Sequence, residues 1–407
     1  MFRIAYLISR YPALSHTFIL REVLELRRCG GQIHTASVNP PDRPLAALDP
    51  EERAEAENTF VLKQQGFASI GRAIFSSVRN NPAGLWRGLC LAVRLGGSDL
   101  KAIKKRLFYF AEAILVGEWM RGLALEHLHV HFATPASTVA LLAKEIFGIR
   151  FSMTVHGPDE FYSVDEYHLA AKIEAASFLC TIGNYCRSQL MKLSAPEHWS
   201  KMAVAPLGVD PGKFQPCLAR TGNDPLEVLC VGRLVPAKGQ AILIEAVARL
   251  RADGLPVHLT LAGDGPDRIR LEGVAKRLGI TEHCSFLGAV NPEHVRSLYE
   301  RATLFVLPSF AEGIPVVLME AMAMEVACIS TIVNGIPELI ESGIQGVLVS
   351  PSDVAALAVA MRQLLEQPVL RSRLAAEGRR KVVSHFNLQP NVARLGRIFT
   401  AEFERAA

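Results

Sequence analysis

Two glutamates in one short stretch, SFAEGIPVVLMEAMA, are spaced for chemistry. Glu312 lies in a Gly/Pro turn, and Glu320 follows in an apolar helix with seven residues between them. Pro315 suits the first turn of that helix, where free backbone amides and the positive dipole end favour an anion. Glu320 then lies about 7.5 Å beyond Pro315. This offset matches a sugar nucleotide, with one carboxylate on hexose hydroxyls, the amides on a phosphate, and the other carboxylate on ribose hydroxyls.

The alternative is that Glu320 faces solvent on an amphipathic helix. Its neighbours are Leu318, Met319, Ala321 and Met322. The helix is therefore apolar nearly all round, which weakens this alternative. A buried glutamate would need a polar partner or a ligand.

Two cations, Arg233 and Lys238, lie in the loop between the first strand of the second half and its helix, within VGRLVPAKGQ. This position faces phosphate in many α/β proteins, although basic residues are also common in surface loops. Gly263 and Gly265 follow the next strand, but Arg268 stands where a dinucleotide fingerprint needs a third glycine. We interpret the glycine pair as a tight turn.

Strand and helix alternate through both halves of the chain, which predicts the α/β class with parallel sheets. The strands are continuous apolar runs, as expected for strands covered on both faces. We therefore predict two Rossmann-like, doubly wound domains facing across a cleft. The predicted parts are an N-terminal domain 1–205 with a basic helical insertion at about 59–121, a linker 206–226, a C-terminal domain 227–385, and a helix 386–407 that crosses back to the N-terminal domain.

The totals exclude several classes of protein. The 407 residues carry a net charge of +4, and no apolar run reaches about 18 residues, the length of a membrane span. The first apolar stretch is too short for a signal-peptide core and predicts a β-strand. The eight cysteines have no metal-ligand spacing, so reduced thiols in the cytoplasm are expected.

Positive charge is concentrated between Phe67 and Arg106, a stretch called the basic window below. It holds eight basic residues against a single acidic one, Asp99. Interleaved apolar and basic residues are typical of amphipathic helices on an anionic membrane, which predicts a peripheral location on the inner face of the cytoplasmic membrane. The alternative is a solvated helical face beside a core. Nucleic acid is not predicted, because no recognition motif accompanies the charge.

The second half resembles glycosyltransferase family 4, whose members are retaining enzymes of the GT-B fold. The resemblance rests on VGRLVPAKG, LAGDGP, FLG, FVLPSFAEGIPVVLMEAMA, GIPELI and GVLVSPSD, in this order. It implies a nucleotide-sugar donor, with Glu312 on the transferred sugar and Glu320 on the ribose. Arg233 and Lys238 match the pair that neutralises the donor diphosphate. The donor-binding residues expected are Gly232, Arg233, Lys238, Gly263, Leu287, Glu312, Gly313, Ile314, Pro315, Val316 and Glu320.

The first half resembles the bacterial exopolysaccharide and colanic-acid subgroup of this family, through SRYPALSHTFILREVLEL, HVHFA and FSMTVHGPDEF. His156 matches the family's cleft histidine, expected to contact the transferred sugar. The acceptor-side residues expected are Ser15, His16 and Asp159. An acidic residue often stands in place of His16, so the acceptor, a glycan or polyprenyl-linked sugar, stays open. His129 and His131 share one strand face and are interpreted as core residues.

The chemistry expected from this resemblance is metal-independent. No two aspartates are spaced i, i+2, so fixed cations and helix amides are expected to stabilise the leaving diphosphate without a metal or other cofactor. Front-face attack is favoured over a covalent double displacement, for which Asp159 and Glu160 are the nearest nucleophiles. The catalytic residues expected are His156, Glu312, Arg233 and Lys238.

Two other functions are considered. A nucleotide-sugar-binding module without transfer activity would have the same fold, but the intact set of site residues argues against it. A nicotinamide-dependent oxidoreductase needs Gly-x-Gly-x-x-Gly after the first strand of a domain. Neither YLISRYPAL nor VGRLVPAKG provides that spacing.

Overall fold

The chain forms two compact units. The computed structural model describes residues 2–216 and 226–405. One unit comprises residues 1–206 with 392–407, and the other comprises residues 207–391. Residues 217–225, part of the predicted linker, lie outside the described residues.

The first unit is built on a parallel sheet of seven strands. The strands are β1 Arg3–Arg10, β2 Gln32–Asn39, β3 Phe60–Val61, β4 His127–His131, β5 Arg150–Val155, β6 Leu179–Thr181 and β7 Met202–Val204. Their order is β3-β2-β1-β4-β5-β6-β7. The helices are α1 Thr17–Arg28, α2 Pro50–Asn58, α3 Phe67–Asn80, α4 Pro82–Gly96, α5 Leu100–Gly122, α6 Pro135–Phe147, α7 Leu169–Ala175 and α8 Asn184–Lys192.

The central strands of this sheet are buried on both faces, as their continuous apolar runs predict. Residues 4–8 of β1 and all of β4 are buried. Strands β1 and β4 pair although they are far apart in sequence, so the order of strands reverses between them. The loops after β1, β4 and β5 therefore meet at one edge of the sheet, the edge where ligands bind in such folds.

The stretch between β2 and β4 contains elements that the sequence analysis missed. Helix α2 begins with a capping box between Asp49 and Glu52, and strand β3 follows it. The Asp-x-x-Glu spacing with Pro50 at the first helical position was the available signal. Three helices, α3, α4 and α5, fill most of the remaining stretch.

Helix α4 packs through its smallest residues. Its buried residues are Gly84, Gly88, Ala92 and Gly96. A Cβ added to Gly88 would clash with the Ile146 side chain of α6. By contrast, Trp86 is 67% exposed and Val93 is 42% exposed. The helix thus turns its small residues inward and leaves Trp86 and Val93 at the surface, while its leucines are half-buried.

The second unit has a six-stranded parallel sheet in the order β10-β9-β8-β11-β12-β13. The strands are β8 Leu226–Val231, β9 Val257–Ala262, β10 Cys284–Gly288, β11 Leu304–Leu307, β12 Ala327–Thr331 and β13 Val347–Val349. The helices are α9 Gln240–Ala252, α10 Arg268–Arg277, α11 Pro292–Arg301, α12 Val316–Ala323, α13 Ile336–Leu339, α14 Val354–Glu366 and α15 Pro368–His385. A last helix, α16 Leu388–Glu404, begins in this unit and belongs from Val392 onward to the first unit. Each of these strands lies where the sequence pattern predicts one.

Helix α15 was missed by the sequence analysis, which predicted only the helix 386–407 in this part of the chain. Its buried residues include Leu374, Gly378 and Val382, spaced four apart as on one helical face. Arginine and lysine residues between them obscure this narrow pattern.

Candidate functional site

The residues singled out in the second unit meet where its strand order reverses. That point lies between β8 and β11, the two central strands of the sheet. Arg233 and Lys238 follow β8, and Glu312 follows β11. Because loops at such a reversal form a crevice at the carboxyl ends of the strands, the topology favours a ligand site here.

The loops after β8 and β11 are held together by their backbones. The Phe310 N–H donates a hydrogen bond to the Ala237 carbonyl at 2.8 Å. Gly239 has a φ of +64°, and a Cβ there would clash with the Pro308 carbonyl oxygen. Glycine is therefore required by both its conformation and its surroundings.

Lys238 and Glu312 form an ion pair across these loops. Lys238 Nζ lies 2.5 Å from Glu312 Oε1, and the Ser309 hydroxyl donates to the same oxygen at 2.7 Å. Glu312 is only 7% exposed. The sequence analysis assigned these two residues to different parts of a ligand and did not anticipate the pair. The contact fixes both side chains at the carboxyl end of β11.

Arg233 differs from Lys238 in its surroundings. Its side chain is exposed, whereas Lys238 is half-buried. The Arg233 carbonyl accepts a hydrogen bond from Gln240 Nε2 at 2.9 Å, which fixes the backbone but leaves the guanidinium at the surface.

Glu320 is buried within α12, contrary to the alternative that it faces solvent. It is 7% exposed, and the Tyr299 hydroxyl lies 3.4 Å from its Oε2. The same hydroxyl donates to the Val317 carbonyl at 3.2 Å. A buried carboxylate with a tyrosine beside it can accept further hydrogen bonds from ligand hydroxyls.

Helix α12 begins one residue later than predicted. Pro315 has an extended backbone (φ −70°, ψ 123°) and precedes the first helical residue, Val316. Ile314 is buried, whereas Gly313 and Val316 are half-buried. The first-turn amides remain those that a helix leaves unpaired. The anion site at this end stays a prediction, with the helix beginning one residue later.

Gly232 and Gly263 lie side by side, because a Cβ on Gly263 would clash with the Gly232 carbonyl oxygen. The Gly263 N–H donates to the Gly288 carbonyl at 2.8 Å. A Cβ on Gly265 would likewise clash with the Leu234 carbonyl oxygen. Close backbone packing thus explains Gly263 and Gly265, in agreement with a tight turn. Leu287, the residue before Gly288, is 40% exposed.

In the first unit, His156 belongs to a cluster of buried histidines. Its Nε2 lies 3.0 Å from His131 Nδ1, and its ring packs against Phe132 with centroids 4.5 Å apart. His131 is fully buried, as expected of a core residue, and it also contacts His156. His129, by contrast, has both ring nitrogens satisfied by Ser152 and Thr154, as a core histidine should.

Glu160 holds the loop that carries His156. Its carboxylate accepts hydrogen bonds from the backbone N–H groups of His156 at 2.5 Å and Gly157 at 3.0 Å, and from that of Ala133. Burial raises the pKa of Glu160 to about 7, while these backbone donors oppose the rise. Its oxygens are committed to the backbone, which argues against a role as nucleophile. Asp159, beside it, is exposed.

The predicted acceptor-side residues lie in loops of the first unit. Ser15 is exposed and His16 is half-buried. The His16 ring lies 5.0 Å from that of Phe132, which in turn contacts His156. The loops after β1, β4 and β5 thus bring His16 and His156 into contact with one aromatic ring.

Comparison with known proteins identifies relatives over nearly the whole chain. Residues 219–381 match the family described as Glycosyl transferases group 1. The chain is 25% identical over 405 residues to WcaL of Salmonella typhimurium, described as a colanic acid biosynthesis glycosyltransferase, with 95% of this chain and 97% of WcaL covered. It is 28% identical to the amylovoran biosynthesis glycosyltransferase AmsK of Erwinia amylovora, with 95% and 96% covered.

The fold also matches solved structures. The structure of Anabaena HepE in complex with UDP-glucose has a TM-score of 0.73 and 17% identity, and the match covers 98% of this chain and 99% of HepE. The predicted fold class, GT-B with two Rossmann-like parallel-sheet domains, is confirmed.

Proposed function

Because this chain is a glycosyltransferase that carries a glycosyl transferases group 1 domain, we propose that it transfers a sugar from a nucleotide-sugar donor during exopolysaccharide synthesis. The observation that carries the donor assignment is the Lys238–Glu312 pair, held where the strand order reverses. The names of WcaL and AmsK support the polysaccharide product, and the UDP-glucose bound to HepE supports the donor class.

The proposed donor contacts follow from charge. Lys238 and Arg233 neutralise the diphosphate together with the amides at the start of α12. Glu312 accepts hydrogen bonds from hydroxyls of the transferred sugar, and Glu320 accepts them from the ribose. His156 contacts a sugar hydroxyl, and Ser15, His16 and Asp159 serve the acceptor, a glycan or a polyprenyl-linked sugar.

We propose that transfer retains the configuration at the reacting carbon, as in family 4. The acceptor oxygen bonds to that carbon on the face from which the diphosphate departs, and the proton of the acceptor hydroxyl passes to the departing phosphate oxygen. This route needs no protein nucleophile. It is favoured because Glu160 is occupied by three backbone N–H groups. Analysis of the anomeric configuration of the product by NMR tests whether the configuration is retained, since an inverted product contradicts the proposal.

Donor identity is tested by ligand-dependent stabilisation. A panel of UDP-, GDP- and ADP-sugars is screened for a rise in melting temperature, because a ligand that binds only the folded protein stabilises it. The stabilising donors are then offered with lipid-linked acceptors and the products analysed by mass spectrometry. Stabilisation by a donor without any transfer product would favour the sugar-nucleotide-binding module.

Activity is expected to survive removal of divalent metal. The fixed cations Lys238 and Arg233 take the place that a divalent ion has in metal-dependent enzymes. Turnover measured after extensive EDTA treatment should stay within roughly twofold of the untreated rate. A tenfold loss that Mg²⁺ or Mn²⁺ restores would contradict this prediction.

The basic window supports a further partner, an anionic membrane surface. Large apolar side chains are exposed on one strip of each of its helices: Ile74, Phe75 and Val78 on α3, Trp86 and Val93 on α4, and Leu100, Leu107 and Phe108 on α5. Ile74 and Val78 are four apart, and Trp86 and Val93, like Leu100 and Leu107, are seven apart, so each pair lies on one helical face. The described helices include none long and apolar enough to cross a bilayer. The exposed strips therefore suit a surface contact at the cytoplasmic face.

Fewer positive charges are available for this contact than the eight basic residues counted in the sequence. Arg106 is buried, and its guanidinium donates to the Glu166 carbonyl at 2.6 Å. Lys105 pairs with the Glu166 carboxylate at 2.9 Å. Each remaining basic residue near an anionic surface contributes about 1 kcal/mol. Binding should thus be weak, reversible and sensitive to salt.

Co-sedimentation with vesicles tests this surface. The wild-type protein should pellet with phosphatidylglycerol-containing vesicles at low salt and much less at high salt or with neutral vesicles. Trp86→Ser combined with Phe108→Ser should lower the pelleted fraction at least about threefold. The matched control is Ile269→Ser with Val369→Ser, which changes two exposed apolar residues of the second unit. Equal effects of both pairs would contradict a specific surface.

A further inference from the structure

Three buried side chains from three separate elements form a line that ends at His156. Glu22 of α1 lies with its Oε1 3.2 Å from His131 Nε2 on β4. His131 Nδ1 lies 3.0 Å from His156 Nε2, just after β5. All three are at most 8% exposed. Such a line of polar groups in a protein interior can transmit the position of a proton from one end to the other.

The far end of this line has no protein partner. Among the described residues, His156 Nδ1 is buried and finds no hydrogen-bond acceptor or donor. Buried polar atoms in native proteins are nearly always paired. An orphaned nitrogen on a residue that the reaction is proposed to use therefore points to a ligand group as its partner.

The protonation pattern follows from the first residue. An ionised carboxylate can only accept, and Glu22 Oε1 already accepts from the Tyr6 hydroxyl at 2.9 Å. The carboxylate draws the His131 proton to Nε2, although the contact lacks the geometry of a full hydrogen bond. His131 Nδ1 is then an acceptor, so His156 must carry its proton on Nε2. Its Nδ1 is left with a lone pair.

We propose that Glu22 and His131 are positioning residues that fix His156 in its Nε2–H form, so that Nδ1 accepts a hydrogen bond from a sugar hydroxyl. The assignment rests on the proposed function in one respect only, the identity of the hydroxyl. The tautomer itself is a property of the free protein.

The surroundings of His156 support this assignment. Burial, then the neighbouring His131 and His16, hold the pKa of His156 well below its usual range. The ring is thus neutral at pH 7 and has a single N–H to donate. Phe18 and Phe132 contact the ring at 5.1 Å and 4.5 Å between centroids, so packing also limits its rotation.

The Glu22→Gln variant is expected to reverse donor and acceptor along Glu22, His131 and His156 while keeping the volume of the side chain. With its amide nitrogen in the place of Glu22 Oε1, glutamine donates to His131 Nε2 and to the Tyr6 hydroxyl oxygen, which places the His131 proton on Nδ1 and makes that nitrogen a donor to His156. The His156 proton then moves to Nδ1, and this nitrogen can no longer accept a hydrogen bond from a substrate hydroxyl. The control is Glu25→Gln, a second buried glutamate of the same helix, whose contact is an ion pair with Arg28 at 3.3 Å.

Nitrogen NMR of histidine-labelled protein reads the tautomer directly, with the His156 signals assigned from the His156→Gln variant. In the wild type and in Glu25→Gln, His156 should be protonated on Nε2 and unprotonated on Nδ1. In Glu22→Gln, His156 should be protonated on Nδ1 and unprotonated on Nε2. We expect Glu22→Gln to lower kcat/KM about tenfold at an unchanged melting temperature.

Protonated Nδ1 in the wild type, or an unchanged tautomer in Glu22→Gln, would overturn the proposal. If no nucleotide sugar supports transfer, the proposed function fails, while the NMR result still decides the tautomer. An inverted tautomer with undiminished transfer would overturn the role of Nδ1 as acceptor.

Discussion

Replacing Lys238 with alanine is expected to slow transfer about a hundredfold, equivalent to roughly 3 kcal/mol of transition-state stabilisation. The physical reason is loss of the half-buried cation opposite the developing charge on the diphosphate. The fold should persist, because Lys238 lies in a loop held by backbone contacts of its neighbours. Single-turnover rates and thermal unfolding of the purified variant provide the measurement.

The ion pair complicates this experiment. Lys238→Ala also removes the cation that pairs with the buried Glu312 carboxylate, which then keeps the hydrogen bond from the Ser309 hydroxyl. The double variant Lys238→Ala with Glu312→Gln is therefore compared with Glu312→Gln alone, so that the loss due to Glu312 is common to both. If the lost diphosphate cation causes the slow rate, the double variant is much slower than Glu312→Gln. Equal rates of these two variants would mean that the unpaired carboxylate was responsible and would contradict the role of Lys238. Lys276→Ala, an exposed lysine of α10, should turn over normally.

The two glutamates should fail in different ways when each is changed to glutamine. Glu312→Gln should lower kcat about a hundredfold and alter the preference among hexoses, because its oxygens are proposed to contact the reacting sugar. Glu320→Gln should raise KM about tenfold with little change in kcat, since the ribose is remote from the breaking bond and a charged hydrogen bond contributes about 1.5–3 kcal/mol.

Both substitutions preserve volume, so a difference between them reports on function and not on packing. Each variant is assayed with the intact donor and with the free nucleoside diphosphate as competitor. Weaker competition in Glu320→Gln alone supports the ribose contact. Matching losses of melting temperature and activity in both variants would indicate that the glutamates are structural.

The sequence was sufficient for the sheets because their strands are buried on both faces and appear as unbroken apolar runs. It was sufficient to place Lys238 and Glu312 near each other, because parallel topology puts both at one edge of the sheet. It was not sufficient for contacts between side chains distant in sequence. The Lys238–Glu312 pair spans 74 positions and the His131–His156 contact spans 25, and neither leaves a periodic signal.

Helix α4 shows a different limit. Its apolar residues predict an amphipathic helix, but periodicity alone does not say which face turns inward. The choice is made by the close approach of α6, which leaves room for Gly88 and no larger residue. Trp86 is consequently exposed, and the strip that hydropathy would assign to a core is available to a partner.

The glycine contacts beneath the loops proposed to bind the donor have a consequence for how this enzyme could change its substrate. Gly263 lies against the Gly232 carbonyl, Gly239 against the Pro308 carbonyl, and Gly335 against the Gly313 carbonyl, each without room for a methyl group. The scaffold of the crevice is therefore main chain against main chain, and substitutions at these points would alter its shape as a whole. Variation in donor preference is left to side chains that project from this fixed scaffold, such as Leu287. Libraries aimed at new sugars should diversify those positions and leave the glycines unchanged.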